Sequence, residues 1–186
     1  MQYSIRMKLL PVDGEIDPSK SHFFGAPLIP GAWIDDFEDS VMFFCQINLS
    51  ETSPYDPDGK LPKQGYLYVF FDTANEDYFL MPIVRYFDGE PDTVIDDFNN
   101  EVEEYESFTE PLAVEFSQAS PGAYCMKLLG VPSDWNYPDA PPELLMQIDH
   151  LDDELCFHDE MDGVTYLFFG KDRQGFSDVE IYSEYS

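Results

Sequence analysis

The amino-acid sequence predicts an α+β, β-rich fold with two pseudo-symmetric, mostly antiparallel sheet units from an internal duplication and few short helices. The first observation is a repeated apolar run, since residues 43–48 (FFCQIN) recur as residues 144–149 (LLMQID). The second is a repeated run of glycine and aromatic residues, since residues 65–71 (GYLYVFF) recur as residues 163–169 (GVTYLFF). Runs of this length and composition are typical of buried strands. Because order and spacing are nearly kept, we infer that one β-rich unit is present twice.

The repeats suggest how the chain is divided. The two copies span approximately residues 22–90 and 127–186, and an acidic connector at residues 91–126 joins them. A chain of 186 residues has the length of one domain or two small ones. We therefore expect a single compact domain over residues 1–186 whose two halves pack together.

The individual elements follow from local patterns. Residues 3–10 alternate loosely, which predicts an edge strand, and residues 11–40 are rich in proline, glycine and aspartate, which predicts a loop with one helical turn near Trp33. The first copy then predicts strands at residues 41–48, 65–71 and 82–87. The second copy predicts the same three strands at residues 144–149, 164–169 and 178–185.

The connector is less regular than the repeats. In residues 92–110, apolar side chains recur at helical spacing among acidic ones, which predicts either a short amphipathic helix or a solvated connector. A brief strand is predicted at residues 112–117.

Charge restricts the classes of partner. The chain has 9 basic and 38 acidic residues, a net charge of −29, and 16% of its residues are aromatic. The aromatic content argues for a folded core, so the acidic residues form its surface. Such a surface repels DNA, RNA and anionic membranes, and it attracts basic protein surfaces and cations.

The sequence also predicts a compartment. No apolar run approaches the roughly 20 residues that span a bilayer, and no secretory leader is recognised. Three cysteines without a spacing pattern argue against a disulfide framework. We expect a cytoplasmic protein in which Cys45 is a buried apolar side chain.

Two acidic segments are the candidate partner-binding surface. Seven carboxylates fall within residues 96–110 and seven within residues 149–162, and nine basic residues cannot neutralise them all if they are buried. We expect both segments to be largely exposed. The candidate partner-binding residues are Asp96, Asp97, Glu101, Glu103, Glu104, Glu106, Asp152, Asp153, Glu154, Asp159 and Glu160.

Neither a metal site nor a catalytic site is expected. The loop at residues 149–162 adds two histidines to its carboxylates, but its spacing is not that of an EF-hand loop. His22, His150 and His158 with Cys156 form no signature of nucleophilic catalysis, and surface histidines with a half-buried cysteine are the simpler interpretation. We predict no catalytic residue, no metal ligand and no cofactor.

Gln46 and Gln147 are the repeated polar residues. Each lies within an apolar strand, where a buried amide must find hydrogen-bond partners. We expect a structural pair in which each glutamine is buried and bonds to neighbouring backbone, rather than a ligand-binding pair.

The same residues resemble a bacterial family typified by YwqG. The resemblance is carried by Gly25-Ala26-Pro27, residues 44–49, residues 61–62 and 65–71, residues 127–132, residues 144–149, and residues 163–169 and 176–178. It implies no catalytic residue, because none is established for the family. Some of its members resemble proteins encoded beside secreted toxins, which implies an immunity or partner-neutralising role.

Together these observations favour a non-enzymatic, acidic cytoplasmic binding protein, immunity-like or antitoxin-like, that masks a basic protein partner. The alternative is a small-ligand or metal-dependent enzyme or sensor that uses a cleft between the two halves. The pattern does not decide the oligomeric state.

Overall fold

The structure, a computed structural model, describes residues 3–37, 40–72, 81–98, 109–135, 139, 142–149, 163–173 and 175–184. The chain forms two compact units. We call them the N-unit (Leu10–Ser53 and Asp58–Val114) and the C-unit (Met1–Leu9, Pro54–Pro57 and Glu115–Ser186). The predicted single domain and the predicted repeat boundaries, residues 22–90 and 127–186, stay predictions.

Strands dominate the described residues, and the helices are few and short, as the sequence predicts. The helical segments are α1 (Leu49–Thr52) and two 3-10 turns, Gly31–Asp36 and Ser53–Tyr55. The strands are β1 (Ser4–Pro11), β2 (His22–Phe23), β3 (Leu28–Ile29), β4 (Val41–Asn48), β5 (Tyr66–Asp72), β6 (Met81–Phe87), β7 (Thr93–Val94), β8 (Leu112–Ala119), β9 (Lys127–Leu128), β10 (Leu144–Asp149), β11 (Val164–Phe168) and β12 (Glu180–Glu184). No helix of the described ranges is both long enough and apolar enough to cross a membrane.

The N-unit is an antiparallel sheet in which β8, β2, β4, β5 and β6 follow one another. Seven of the eight residues of β4 are buried, as the unbroken apolar run predicts. One sheet face carries an aromatic core that includes Phe43, Tyr68 and Phe70. Phe44 points elsewhere and makes edge-to-face contacts with Phe23, Phe24 and Phe71. The sheet is therefore apolar on both faces.

A small lid covers the aromatic core of the N-unit. We define the N-lid as residues 27–37 and 92–98, which join where β3 pairs with β7. Trp33 lies edge-to-face on Tyr68 and Phe87, with ring centroids 5.5 and 5.8 Å apart. Ile95 and Phe98 pack on the same core. The predicted helix at residues 92–110 is wrong for its described beginning, since residues 93–94 form a strand and residues 96–98 a turn.

The C-unit contains strands in the order β12, β11, β10, β9, β1, with β8 next to β1. The described pairs are antiparallel. Trp135 lies edge-to-face on Phe168 and Tyr182, 5.6 and 5.7 Å away, so a tryptophan covers this sheet as well. The prediction that β1 is an edge strand is wrong, because strands flank it on both sides. Apolar alternation reports burial of a face and not the number of neighbouring strands.

The strands of two residues were missed by sequence reasoning. β2, β3, β7 and β9 are too short to show a period, and they form because a neighbouring strand supplies hydrogen bonds. β2 and β3 fall inside the segment predicted as loop, residues 11–40. The helical turn predicted near Trp33 is confirmed by the 3-10 turn Gly31–Asp36.

Candidate functional site

Each unit carries one row of directly paired residues across its sheet. In the N-unit, His22 pairs with Gln46, Gln46 with Tyr68, and Tyr68 with Arg85. In the C-unit the row is Arg6, Lys127, Gln147, Tyr166 and Tyr182. Direct partners in antiparallel strands place their side chains on the same sheet face. A glutamine therefore stands beside a tyrosine on one side and a basic side chain on the other in both units.

Gln46 connects the sheet of the N-unit to its loops. Its side chain is fully buried. Its Oε1 accepts a hydrogen bond from the Leu28 backbone N–H at 2.9 Å, and its Nε2 donates to the carbonyls of Pro18 and Lys20 at 2.6 and 3.0 Å. One amide thus satisfies three backbone groups of two segments that flank β2.

Gln147 does the same in the C-unit. It is fully buried, its Oε1 accepts from the Ser133 backbone N–H at 3.0 Å, and its Nε2 donates to the Cys125 carbonyl at 3.1 Å. The prediction that both glutamines are buried and bonded to backbone is confirmed. Leu28 and Ser133 are therefore equivalent positions, each donating to the glutamine of its own unit.

His22 is completely buried, which corrects the expectation of a surface histidine. Its Nδ1 lies 3.0 Å from the Lys20 carbonyl oxygen and its Nε2 lies 3.2 Å from the Ala26 carbonyl oxygen. Burial lowers the pKa of His22, although the two carbonyls oppose that shift. A neutral imidazole has one N–H, so the ring donates to one of these two carbonyls and lies beside the other near the start of the N-lid.

Lys127 takes the position of His22 in the other row. It is fully buried, and its Nζ donates to the carbonyls of Pro121 and Ala123 at 3.1 and 2.7 Å. Burial lowers the pKa of Lys127 to about 8, while Cys125 and Asp149 act in the opposite direction. These hydrogen bonds hold the loop at residues 120–124 on the sheet. Burial of the ammonium group also costs desolvation free energy.

Buried Lys127 predicts a pH dependence of stability. Its folded-state pKa of about 8 lies below the ordinary 10.5, so the unfolded chain binds more protons between these values. Stability should therefore rise with pH in that window. Urea titrations measure the free energy of unfolding at about pH 8 and about pH 9.5, both below the pH at which tyrosines ionise. Between these two pH values, the free energy of unfolding of the wild type should increase relative to that of Lys127→Met. The exposed Lys63→Met is the control, and an unchanged difference would contradict a lowered pKa.

The two rows differ in polarity at one end. In the N-unit, Tyr68 donates to the Leu28 carbonyl at 2.7 Å, and Leu28, Ile29 and Phe87 surround it. The register places Ser133, Asp134, Tyr166 and Glu184 at the equivalent C-unit positions. Tyr166 is fully buried, yet its hydroxyl and the buried Ser133 hydroxyl have no hydrogen-bond partner among the described residues.

The N-lid exposes five carboxylates and two apolar side chains. Ile34 and Val94 are 48% and 39% exposed. The exposed carboxylates of the N-lid are those of Asp35, Asp36, Asp92, Asp96 and Asp97. The hydrogen bond that Gly31 N–H donates to Asp92 over 2.7 Å is the main cause that holds the pKa of Asp92 below its ordinary value.

Arg85 lies beside these carboxylates, and its charge is already paired. The Arg85 guanidinium lies over the rings of Phe37 and Trp33, 4.6 and 5.2 Å from their centroids. Its Nη1 donates to Asp36 Oδ2 at 2.8 Å. Arg85 therefore supports the N-lid from beside the core and neutralises only one of its aspartates.

The predicted partner-binding residues fall into two groups. Asp96 and Asp97 are exposed on the N-lid, where the structure brings them together with the aspartates of the 3-10 turn. Asp149, at the start of the second acidic segment, is only 5% exposed, so the expectation of exposure is wrong there because β10 continues through it. The remaining predicted residues lie outside the described ranges: Glu101, Glu103, Glu104, Glu106, Asp152, Asp153, Glu154, Asp159 and Glu160. His150, Cys156 and His158 lie outside them as well.

Sequence reasoning missed the basic members of both rows and the polar end of the C-unit row. Aligning the repeats at their lead-ins pairs His22 with Lys127, which is a signal that was present in the sequence. No comparable signal distinguishes Tyr166 from Tyr68. Within the described ranges, no three histidine, cysteine, aspartate or glutamate side chains lie close enough to hold a metal ion.

Comparison with known proteins adds no family to this description. No protein-family model matches the chain, and no curated protein matches it significantly. The resemblance to the YwqG-like family therefore stays an expectation from the sequence.

Proposed function

We propose that the protein is a non-enzymatic acidic binding protein that masks a basic protein partner, and that the N-lid is part of its partner-facing surface. The observation that carries this proposal is the exposure of five aspartates, together with Ile34 and Val94, on one supported lid. Protein interfaces commonly combine exposed apolar side chains with charged ones. The rim charge selects a basic partner and speeds its association.

The packing of the N-lid on the sheet fixes the conformation of the proposed binding surface before a partner binds. Trp33, Phe37, Ile95 and Phe98 hold the N-lid on the sheet, so little ordering is required when a partner arrives. Among the described residues, Arg85 forms an ion pair with Asp36 and with no other aspartate of the N-lid. A basic partner would relieve the mutual repulsion of the others.

A charge-location experiment tests the proposal. The probe is a fluorescent peptide of alternating lysine and leucine, and its affinity is measured by anisotropy at low salt. Asp96→Asn with Asp97→Asn should weaken binding by about fivefold, since each exposed charge contributes well under 1 kcal/mol. Raising NaCl from about 50 to about 300 mM should weaken wild-type binding and reduce the difference between the proteins.

The matched control removes two carboxylates elsewhere. Asp13→Asn with Glu15→Gln changes the net charge equally, at exposed positions outside the N-lid. It should leave the affinity nearly unchanged. If both double variants weaken binding equally, the peptide recognises the overall charge and not the N-lid. If a peptide of alternating glutamate and leucine binds as tightly as the lysine-leucine peptide, the proposed basic partner is contradicted.

We infer that the two units derive from an internal duplication and are pseudo-symmetric. Several features support this. Each unit has an irregularity at the same point of its central pair, between Phe43 and Cys45 and between Leu144 and Met146. The skipped residue accepts a backbone hydrogen bond from a residue of positive φ, Phe24 to Phe44 at 2.9 Å and Leu129 to Leu145 at 3.0 Å. A crystal structure in which residues 41–87 do not superpose on residues 144–185 would contradict it.

The remaining parts of the proposal concern compartment and kinship. We place the protein in the cytoplasm and expect neither nucleic acid nor membranes as its binding partners. We also propose that it belongs to the YwqG-like family and has an immunity-like role. Cys45 supports a reducing compartment, since it is a buried free thiol whose pKa burial raises. Detection of a basic toxin that the purified protein neutralises would test the role directly.

A further inference from the structure

Among the described residues, the last strand of the N-unit sheet has a neighbouring strand on one side only. β6 pairs with β5, and no strand follows β6 in the sheet order. The residues from Met81 to Phe87 pair with β5 in one continuous register, without the irregularity that interrupts the pairing of β4 with β5. A long and regular terminal strand presents backbone N–H and C=O groups on which another chain can add a strand.

Pro82 shows which backbone groups of β6 face away from β5. It is the direct partner of Phe71, and a proline has no N–H to donate to the ladder. Proline in a sheet therefore lies where its nitrogen faces away from the neighbouring strand. Because this direction alternates along a strand, the N–H and C=O of Val84 also face away from β5. The Phe87 carbonyl, three residues further on, faces β5, since a Cβ atom at Gly65 would lie 2.5 Å from its oxygen.

The terminal strand of the C-unit differs from β6 in charge. β12 has two glutamates among its five residues, Glu180 and Glu184, and charged side chains along an edge oppose the addition of another strand. β6 has one charged side chain among its seven residues, Arg85, which is already paired with Asp36 at 2.8 Å. Pro82 blunts this edge only near its beginning. The edge of β6 is therefore the less protected of the two.

The two faces of the sheet beside this edge differ in character, which defines the kind of strand that fits. Arg85 is the direct partner of Tyr68, and it lies on the face that the N-lid covers, beside Asp36. Val84 lies on the opposite face and is half-buried. An added strand would therefore place alternate side chains beside the Asp36 carboxylate and beside the Val84 side chain. A segment that alternates basic and apolar residues matches this arrangement.

We propose that β6 binds an extended segment of the partner protein by strand addition, and that this segment alternates basic and apolar residues. It lies antiparallel to β6, as the described neighbouring strands of the N-unit sheet lie to one another. The inference rests on the basic partner proposed above and adds the mode of its recognition. The backbone of β6 supplies the hydrogen bonds, and the carboxylates of the N-lid select the charge of the segment.

N-methylation of the alternating lysine-leucine peptide tests this mode of recognition by fluorescence anisotropy. In an extended peptide, all leucine N–H groups point to one side and all lysine N–H groups to the other. A leucine opposite Val84 in an antiparallel pair turns its N–H toward β6. Methylation of every leucine nitrogen should therefore weaken binding by about tenfold, the value of two lost backbone hydrogen bonds. The matched control is methylation of every lysine nitrogen, which should leave the affinity nearly unchanged.

Amide hydrogen exchange of the ¹⁵N-labelled full-length protein gives a second measurement. Without peptide, the Val84 N–H should exchange much faster than the Arg85 N–H, which faces β5. With saturating unmodified peptide, exchange at Val84 should slow by about tenfold, because the added strand accepts a hydrogen bond from it.

The outcomes separate this inference from the proposed function. If the unmodified peptide binds, but methylation of leucine nitrogens weakens binding no more than methylation of lysine nitrogens, strand addition is overturned and the basic partner stands. Unchanged exchange at Val84 in the saturated complex would overturn strand addition in the same way. If the unmodified peptide does not bind at all, the proposed function is overturned, and this inference is overturned with it.

Discussion

Replacing Phe44 by alanine should lower the free energy of unfolding by about 3–5 kcal/mol, the usual cost of removing a fully buried phenyl ring. Phe44 is completely buried, and its ring centroid lies 5.2, 5.6 and 4.8 Å from those of Phe23, Phe24 and Phe71. Its carbonyl also accepts a hydrogen bond from Phe24, so the backbone around it cannot easily collapse into the cavity. Urea denaturation followed by tryptophan fluorescence measures the change.

Two control variants test whether the loss of stability comes from the cavity at Phe44 or from any loss of an apolar side chain. Phe44→Leu should lose a smaller part of the stability, because most of the apolar volume remains. Ile34→Ala removes an apolar side chain that is 48% exposed, and it should change stability by well under 1 kcal/mol. A loss at Ile34→Ala equal to that at Phe44→Ala would contradict this assignment of the core.

Replacing Gln46 by leucine should cost about 2–4 kcal/mol, because it leaves the Leu28 N–H and the Pro18 carbonyl without their partner. The Lys20 carbonyl keeps its contact with His22 and should add little. Leucine keeps most of the volume, so lost hydrogen bonds account for most of the change. Amide hydrogen exchange at Leu28 should accelerate together with the loss of stability.

The control for Gln46 is another glutamine. Gln118→Leu changes an exposed residue of β8 and should be nearly neutral. Gln147→Leu should resemble Gln46→Leu, since it removes the hydrogen bonds to the Ser133 N–H and the Cys125 carbonyl. A neutral result at both positions 46 and 147 would show that these amides are dispensable to the fold.

The long strands could be predicted because their apolar sequence agrees with their buried positions in the sheet. Residues 41–48 and 144–149 are unbroken apolar runs, and the structure buries them as β4 and β10. The predicted edge position of β1 was wrong, and so was the helix that was one of two alternatives from residue 92, for the same reason. Both depend on which segments are neighbours in space, and periodicity carries no information about that.

Some residues of the candidate site could likewise be predicted from the sequence, and others could not. Gln46 and Gln147 stood out because an amide in an apolar strand must be satisfied, and their repetition marked them as a pair. Asp96 and Asp97 were predicted from charge density alone, and the structure adds Asp35, Asp36 and Asp92 beside them across the pairing of β3 with β7. His22 and Lys127 look like ordinary surface residues in the sequence, and only the register shows that each stands against a buried glutamine.

The sequence by itself determined that this protein is β-rich and strongly acidic, and it predicted a folded core and two similar sets of strands. Those properties depend on composition and on the apolar character of contiguous residues. The tertiary structure alone decided which side chains share a face, as with the lysine and the histidine that are buried beside the glutamines. The physical reason is that hydrogen-bond satisfaction and electrostatic fields act over a few ångströms in space, between residues that the chain keeps far apart.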